Sequence, residues 1–269
     1  MIKIPDKVTN IMAHLISHGY EAYVVGGAVR DSLLGVEPHD WDLFTDCQDL
    51  LDLFPDARIM GGEERQAKIL TVIVEDIEVS SYRVSGDRTK TGYSLPIHQS
   101  TCDLTINSIA CDINGKIVDT QGGVNDLNNK ILRFVGDASE RIAEDKLRVL
   151  RFLRFRCKYK EFKVEDYNDI LFSKHVCDLK KDFPQERVRE ELLKILSIDN
   201  ISDIYLLELF LVTYFDEFAD CNCLGGGKYH DEMVGDHLLN SLGNISKITD
   251  NVLLRFAALF HDIGKAESK

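Results

Sequence analysis

The sequence predicts an α+β chain in which a β-rich first region, building a small mixed or antiparallel sheet, is followed by helical segments. Two observations predict this. Up to about residue 135, short apolar runs alternate with glycine-rich and polar breaks, the pattern of brief strands and tight turns. Beyond Gly136, apolar residues recur at helical spacing, the pattern of segments that bury one face. The 269 residues divide into 1–135, 136–200 and 201–269, two or three units that each support a modest core.

The elements follow in order. Residues 7–18 carry apolar positions at helical spacing and end at Gly19. Residues 21–25 read as a short buried strand broken by Gly26-Gly27, and 29–34 as a short helix stopped by Gly35. A strand over 42–45 and a hairpin pair over 70–75 and 77–83 come next. The stretch 84–100, rich in Ser, Thr, Gly and Lys without a period, is expected to be a mobile loop. A strand or helix start is expected over 104–111, with Gly115 in a turn. Helices are then expected over 141–157, from Pro184 to about Ile195, and over 205–218. A Cys/Gly-rich linker at 219–228 precedes a last helical unit, 229–269.

At 44% hydrophobic and 29% charged, the composition is that of a soluble globular protein. No apolar run approaches the ~20 residues of a membrane helix, so no membrane partner is expected. The opening MIKIPDKVTN lacks the basic-then-apolar build of a secretory leader, and a cytoplasmic location is expected. Seven scattered cysteines fit reduced thiols, and Cys221 and Cys223 lack partners at zinc-site spacing. The net charge of −13 hides an uneven distribution. Residues 1–135 hold 12 basic and 20 acidic residues, whereas 141–163 hold nine basic and three acidic. Such a basic segment suits a phosphate-bearing ligand, and equally a solvated helix face.

The chemistry-bearing residues cluster early. A strand running into Gly26-Gly27 and then a helix lets backbone N–H groups approach a phosphate, with Arg30 one turn on as a cation. Asp40-Trp41-Asp42 reads as strand, so both carboxylates point to one face. Carboxylates so placed repel each other unless a cation sits between them, and magnesium suits such a site. Glu78, on the next strand-like run, offers a third carboxylate.

These residues resemble a known family. VVGGAVRDSLLG at 24–35 and HDWDLFT at 39–45 are similar to the signature of the class II tRNA nucleotidyltransferase and bacterial poly(A) polymerase superfamily. The resemblance continues through DLTINSIA at 103–110, GGVNDL at 122–127, EDKLRVLRFLRF at 144–155 and ERVREEL at 186–192. It implies a polymerase-β-like nucleotidyltransferase head over 1–135, a helical neck over 136–200 that selects the nucleotide, and a helical body over 201–269. It further implies that Asp40 and Asp42 hold two Mg²⁺ ions, one activating an RNA 3′-hydroxyl and one stabilising departing pyrophosphate. Gly26, Gly27 and Arg30 would hold the triphosphate, Asp103 would lie near the ribose, and Asn107, Arg151 and Arg154 join the nucleotide-binding set.

Asp145 and Arg148, three apart on the expected helix, can imitate a Watson–Crick edge. A carboxylate accepts from the exocyclic amino group of cytosine or adenine but opposes the carbonyl oxygen of uracil or guanine. An i,i+3 salt bridge is the plain alternative. Arg151, Arg154, Arg156, Lys158 and Lys160 are expected along the RNA or the triphosphate.

The pattern departs from the resemblance in two places. Thr101 and Cys102 stand where two arginines are usual before Asp103, and the segment between Arg83 and Asp103 is short. Farther on, His237 and His261-Asp262, within LRFAALFHDIGK, resemble the start of an HD phosphohydrolase domain whose side chains share a divalent metal. The sequence ends at Lys269, before the further aspartate such domains use, so an incomplete unit is expected. The leading expectation is an enzyme that adds CMP and AMP, CCA or part of it, from CTP and ATP to the tRNA 3′ end. A poly(A) polymerase on general RNA, and a phosphohydrolase or RNA-binding protein with a decayed polymerase site, stay open.

Overall fold

The computed structural model describes residues 1–60, 71–84, 92–181, 183–199, 201, 204–221 and 233–267. The chain forms two compact units, Met1–Glu144 and Asp145–Lys269.

The first unit opens with α1 (Asp6–Ser17), whose Val8, Ile11, Met12 and Leu15 make one buried stripe. Gly19, at φ 88°, ends it. Strands β1 (Tyr23–Val25), β2 (Asp42–Thr45), β3 (Arg58–Ile59), β4 (Thr71–Val74), β5 (Ile77–Ser81), β6 (Ala110–Cys111) and β7 (Ile117–Val118) form one sheet. Among the described residues its order is β3-β4-β5-β2-β1-β6-β7. Only the β2–β5 pair is parallel, so the sheet is mixed, as expected. That pair sets Asp42 opposite Glu78 and Phe44 opposite Ser80. The central strands bury Val24, Val25, Leu43, Val72 and Val79. Around the sheet lie α2 (Gly27–Leu33), α3 (Leu50–Leu53), α4 (Leu95–Ser100), α5 (Gly123–Asn128) and α6 (Ala138–Glu144).

The predicted loop over 84–100 is corrected at its second half, where α4 forms; residues 85–91 lie outside the described ones. Pro96 sits in the first helical turn, where its missing N–H costs nothing. The composition hides this helix because its buried face is polar. Gln99 donates to the carbonyls of Ser108 and Val118, both at 2.8 Å, and His98 Nδ1 accepts the Arg83 N–H at 3.2 Å. Burial, with the Arg83 charge, pushes the His98 ring down to about 3, which keeps it a neutral acceptor.

The second unit is helical apart from a two-residue strand, Lys163–Val164. Its helices are α7 (Arg148–Lys158), α8 (Asp169–Lys181), α9 (Gln185–Leu196), α10 (Ile204–Tyr214), α11 (Asp216–Cys221), α12 (Val234–Ile245) and α13 (Val252–Phe260). The single helix expected over 141–157 is two, α6 and α7, interrupted at Asp145. A local competition explains the break: Asp145 Oδ1 accepts the Leu147 N–H at 3.1 Å, as an aspartate at a helix start does. The helix expected over 205–218 likewise divides at Phe215, and α8 stands where periodicity assigned no element. The linker residues beyond Cys221, with Cys223, lie outside the described residues. The six described cysteines are free thiols. No described helix is long and apolar enough to cross a membrane.

Candidate active site

Strand β2 begins at Asp42, so Asp40 and Trp41 precede it rather than lie on it. The extended alternation nevertheless starts earlier: Trp41, Leu43 and Thr45 are buried, while Asp40 is exposed and Asp42 and Phe44 are half-buried. Both carboxylates therefore fall on the face opposite the core. Burial, then Glu78, then Asp40 raise the Asp42 carboxyl to about 6, and Arg83 partly offsets them. The acids share a field strong enough to resist ionisation of the innermost one. Among the described residues, they do not close to the 4.8 Å mutual spacing that one other group reaches.

Beside this set, Gly26 turns at φ 93° and ψ −126°, a conformation side-chained residues rarely adopt. Its N–H donates to the Ile109 carbonyl at 2.9 Å, which locks the turn against the segment after Asp103. The sequence reading takes Arg30 as a cation for phosphate; its guanidinium is buried and holds Asp31 at 2.8 Å and Asn107 Oδ1 at 2.5 Å. Asn107 passes the connection on, its Nδ2 donating to Asp103 Oδ1 at 3.0 Å. The structure thus joins the buried Arg30 and Asp103 through the half-buried Asn107, beside the half-buried Gly26 and Gly27. Asp126, also buried, accepts from Thr105 at 2.6 Å and from Arg133 at 3.1 Å, fixing the same segment from behind.

In the second unit, Asp145 and Arg148 are joined by a backbone bond, Arg148 N–H to the Asp145 carbonyl at 3.0 Å. The Asp145 carboxylate takes an ion pair from Arg187 at 3.2 Å. Arg154 is paired to the buried Glu191 at 2.8 Å, and Arg156 donates to the carbonyls of Lys160 and Phe162. Those two guanidiniums have intramolecular work. Arg151 is half-buried, whereas Lys158 and Lys160 are exposed.

At the far end of the second unit, His237 on α12 meets His261 and Asp262, which follow α13. Their ligand atoms all lie within 4.8 Å of one another, the only such group of three among the described residues. His237 Nε2 is 3.3 Å from His261 Nε2, and Asp262 Oδ2 is 3.3 Å from His261 Nε2. Lys265 also donates to Asp262 Oδ2 at 2.6 Å, and this bond is the chief cause holding that carboxyl below its usual range.

Comparison with known proteins places this geometry. Residues 22–133 match the poly A polymerase head domain, a span that holds Gly26, Gly27, Arg30, Asp40, Asp42, Glu78, Asp103 and Asn107. A CCA-adding enzyme of Lactococcus lactis is 36% identical over 182 residues, covering 61% of this chain and 45% of that protein. A multifunctional CCA protein of Acinetobacter baumannii is 34% identical over 268 residues, covering 91% of this chain and 63% of that one. The chain therefore spans about half to two-thirds of the length of these curated relatives. The solved CCA-adding enzyme of Bacillus stearothermophilus, in complex with CTP, superposes with a TM-score of 0.70. It is 26% identical and covers 98% of this chain and 64% of its own. A tRNA nucleotidyltransferase solved with primer tRNA and an ATP analogue has a TM-score of 0.67 at 24% identity, a likeness of fold.

Within the first unit, sequence reasoning missed two arginines. Arg83, just past β5, reaches the field of Asp42 and stands over the Phe44 ring at 6.0 Å. Arg141, from α6, donates to the Ser100 carbonyl at 2.9 Å, one residue before the Thr101-Cys102 pair that stands where arginines are usual. Neither had a local signal: Arg83 ends an apolar run, and Arg141 begins a basic one. Arg187, outside the head domain, was legible only as part of ERVREEL.

Proposed function

We propose that this chain is a nucleotidyltransferase that adds CMP and AMP, CCA or part of it, from CTP and ATP to the 3′ end of tRNA. The observation that carries the proposal is the half-buried Asp42 carboxyl, opposite Glu78 and near Asp40, inside a head domain. A carboxyl raised to about 6 by burial and then by neighbouring carboxylates is a site suited to a cation. The donors are hard oxygens, which fit Mg²⁺; Asp40 and Asp42 would hold it, with Glu78 completing the negative field. Bound there, magnesium would polarise phosphate oxygens and make the RNA 3′-hydroxyl a better nucleophile.

The remaining roles fall to this chain's own residues. Gly26 and Gly27 leave the backbone open beside the triphosphate, and Arg30 holds Asn107 and so the segment carrying Asp103 toward the ribose. Asp145 and Arg148 read the base, the carboxylate accepting from the amino group shared by cytosine and adenine. Arg151, Lys158 and Lys160 line the RNA. In this reading 1–135 is the catalytic head, 136–200 the selecting neck and 201–269 the body, acting in the cytoplasm, where free thiols persist.

The test is a single-nucleotide incorporation assay with Mg²⁺, offering each NTP to tRNA ending before CCA, after C and after CC. Addition of C, C and A followed by a stop is the expected result. Long A tails on any RNA would instead establish a poly(A) polymerase, and no incorporation with any NTP would remove the proposal.

The His237, His261 and Asp262 group supports a second activity on the same chain, a divalent metal centre of phosphohydrolase type. An entering cation has to displace the Lys265 ammonium from Asp262. Calorimetric titration with Mn²⁺ is expected to show one fewer bound ion in His261→Ala than in the unaltered protein. Equal stoichiometry would mean that Lys265 alone neutralises the group.

A further inference from the structure

The second unit carries a cleft of about 520 Å³, built from the end of α7, the turn that follows it, and the starts of α8 and α10. Ligand pockets run from about 300 to 1,000 Å³, so there is room for one planar ring and the groups it carries. The floor is aromatic: Phe152, Phe162, Tyr167 and Phe172 are each at most 8% exposed. It is also well braced. The Phe152 and Tyr167 rings meet edge to face at 4.8 Å, and the Tyr167 hydroxyl lies 3.0 Å from His175 Nδ1. Arg156 draws in the turn by donating to the carbonyls of Lys160 and Phe162 at 2.9 and 3.1 Å. One wall differs. Tyr205, in the first turn of α10, is 59% exposed, and its hydroxyl donates to Asp169 at 3.2 Å, which ties the ring to the start of α8. The charged lining is Arg156, Lys160 and Lys163 against Glu161 and Asp169. Among the described residues, the exposed Lys160 and Lys163 ammoniums take no acidic partner.

We propose that this cleft is a second nucleotide site, which takes a nucleobase against Tyr205 and the aromatic floor and a phosphate at Lys160 and Lys163. Neither half of the lining accounts for the other. A purely apolar ligand leaves the two ammoniums unused, and a bare phosphate leaves the Tyr205 ring in water. A nucleotide uses both, because every base has a face that stacks on an exposed ring and a phosphate that a flexible ammonium can reach. A free nucleoside phosphate and one unpaired nucleotide of an RNA strand share this chemistry. The lining includes neither the Asp42 set nor Asp145 and Arg148, so binding here needs no metal and no transfer.

Calorimetric titration of the whole chain with AMP and with adenosine, in EDTA, tests the site. One AMP per chain is expected, with adenosine bound about tenfold more weakly for want of its phosphate. Tyr205→Ala is expected to weaken AMP about tenfold. Tyr205→Phe, which keeps the ring and loses the bond to Asp169, is expected to weaken it less than about threefold. Lys163→Glu is expected to weaken AMP about tenfold and to leave adenosine unchanged. Both positions are exposed, so unfolding midpoints are expected to match that of the unaltered chain. Competition with hexa-adenylate separates the two sources. An oligomer that displaces AMP, or binds where AMP does not, and weakens in the same variants identifies an RNA strand; AMP that the oligomer fails to displace identifies a free nucleotide. Binding that survives both Tyr205→Ala and Lys163→Glu, binding lost instead in Asp145→Asn, or no binding of either probe would overturn the site.

Discussion

Asp42→Asn is expected to lose nucleotide incorporation by on the order of a thousandfold or more, while making the metal-free protein more stable. Both effects come from one carboxylate. Its charge is needed where a cation binds, and the same charge is costly in the folded chain, where burial, Glu78 and Asp40 raise it to about 6. Against an ordinary 3.8, the ionised form costs the fold roughly 3 kcal/mol. The folded protein keeps this proton to about pH 6 while the unfolded chain releases it near 3.8. Stability from this group therefore declines as pH rises between those values and stays low above them. Asparagine cannot ionise, so that decline disappears. Urea unfolding of both proteins in EDTA at pH 4.5 and 7.5 checks it. The variant is expected to gain on the unaltered protein at the higher pH and to match it more closely at the lower. Equal curves at both values would show that Asp42 is not strained.

The second large effect is structural. Arg255→Met is expected to destabilise the second unit by about 3 kcal/mol, the order of cost of leaving several carbonyls without the charged donor they share; its acidic partner Asp199 is 78% exposed and loses little. Arg255 lies on α13, 1% exposed, and every donor group is used. It gives to the carbonyls of Thr249 at 2.7 Å, Leu196 at 2.9 Å, Ile198 at 2.9 Å and Ser246 at 3.2 Å, and to Asp199 at 2.9 Å. Leu196 ends α9 and Ser246 caps α12, so one guanidinium satisfies the orphan carbonyls of two helix ends. Methionine fills the space but leaves four carbonyls without their donor. Thermal and urea unfolding measure the loss, and one below about 1 kcal/mol would show that solvent replaces the clasp readily. Because α13 carries His261 to its place, Mn²⁺ binding at that group is expected to weaken in the same variant.

Much of the candidate site was legible because its chemistry is local. A glycine at φ 93° after an apolar strand, and two aspartates flanking a buried tryptophan, are patterns a few residues long. The α+β class follows as directly, since period two and period 3.6 are properties of short windows. The six motifs of the resemblance added order along the chain, and the head-domain match covers four of them.

Local pattern failed wherever a buried polar side chain took its partner from elsewhere in the chain. Composition called α4 a loop, because nothing in LPIHQS reveals that His98 takes the Arg83 N–H or that Gln99 donates to Val118 on β7. Spacing ran one helix through Asp145, whose carboxylate pairs with Arg187, 42 positions on, as well as with the Leu147 N–H. Glu78 was a candidate by proximity in sequence, but only strand register sets it opposite Asp42, 36 positions away. Register is a global outcome, fixed by which faces of β2 and β5 bury Leu43 and Val79. Arg187 with Asp145 and Arg255 with two helix ends are pairings of the same kind, over 42 and up to 59 positions. The sequence by itself determined the residue types of the site and the order of its motifs, because propensity, turn chemistry and charge act over a few residues. Only the tertiary structure decided which of those charges meet, because a buried ion needs its partner wherever in the chain that partner lies.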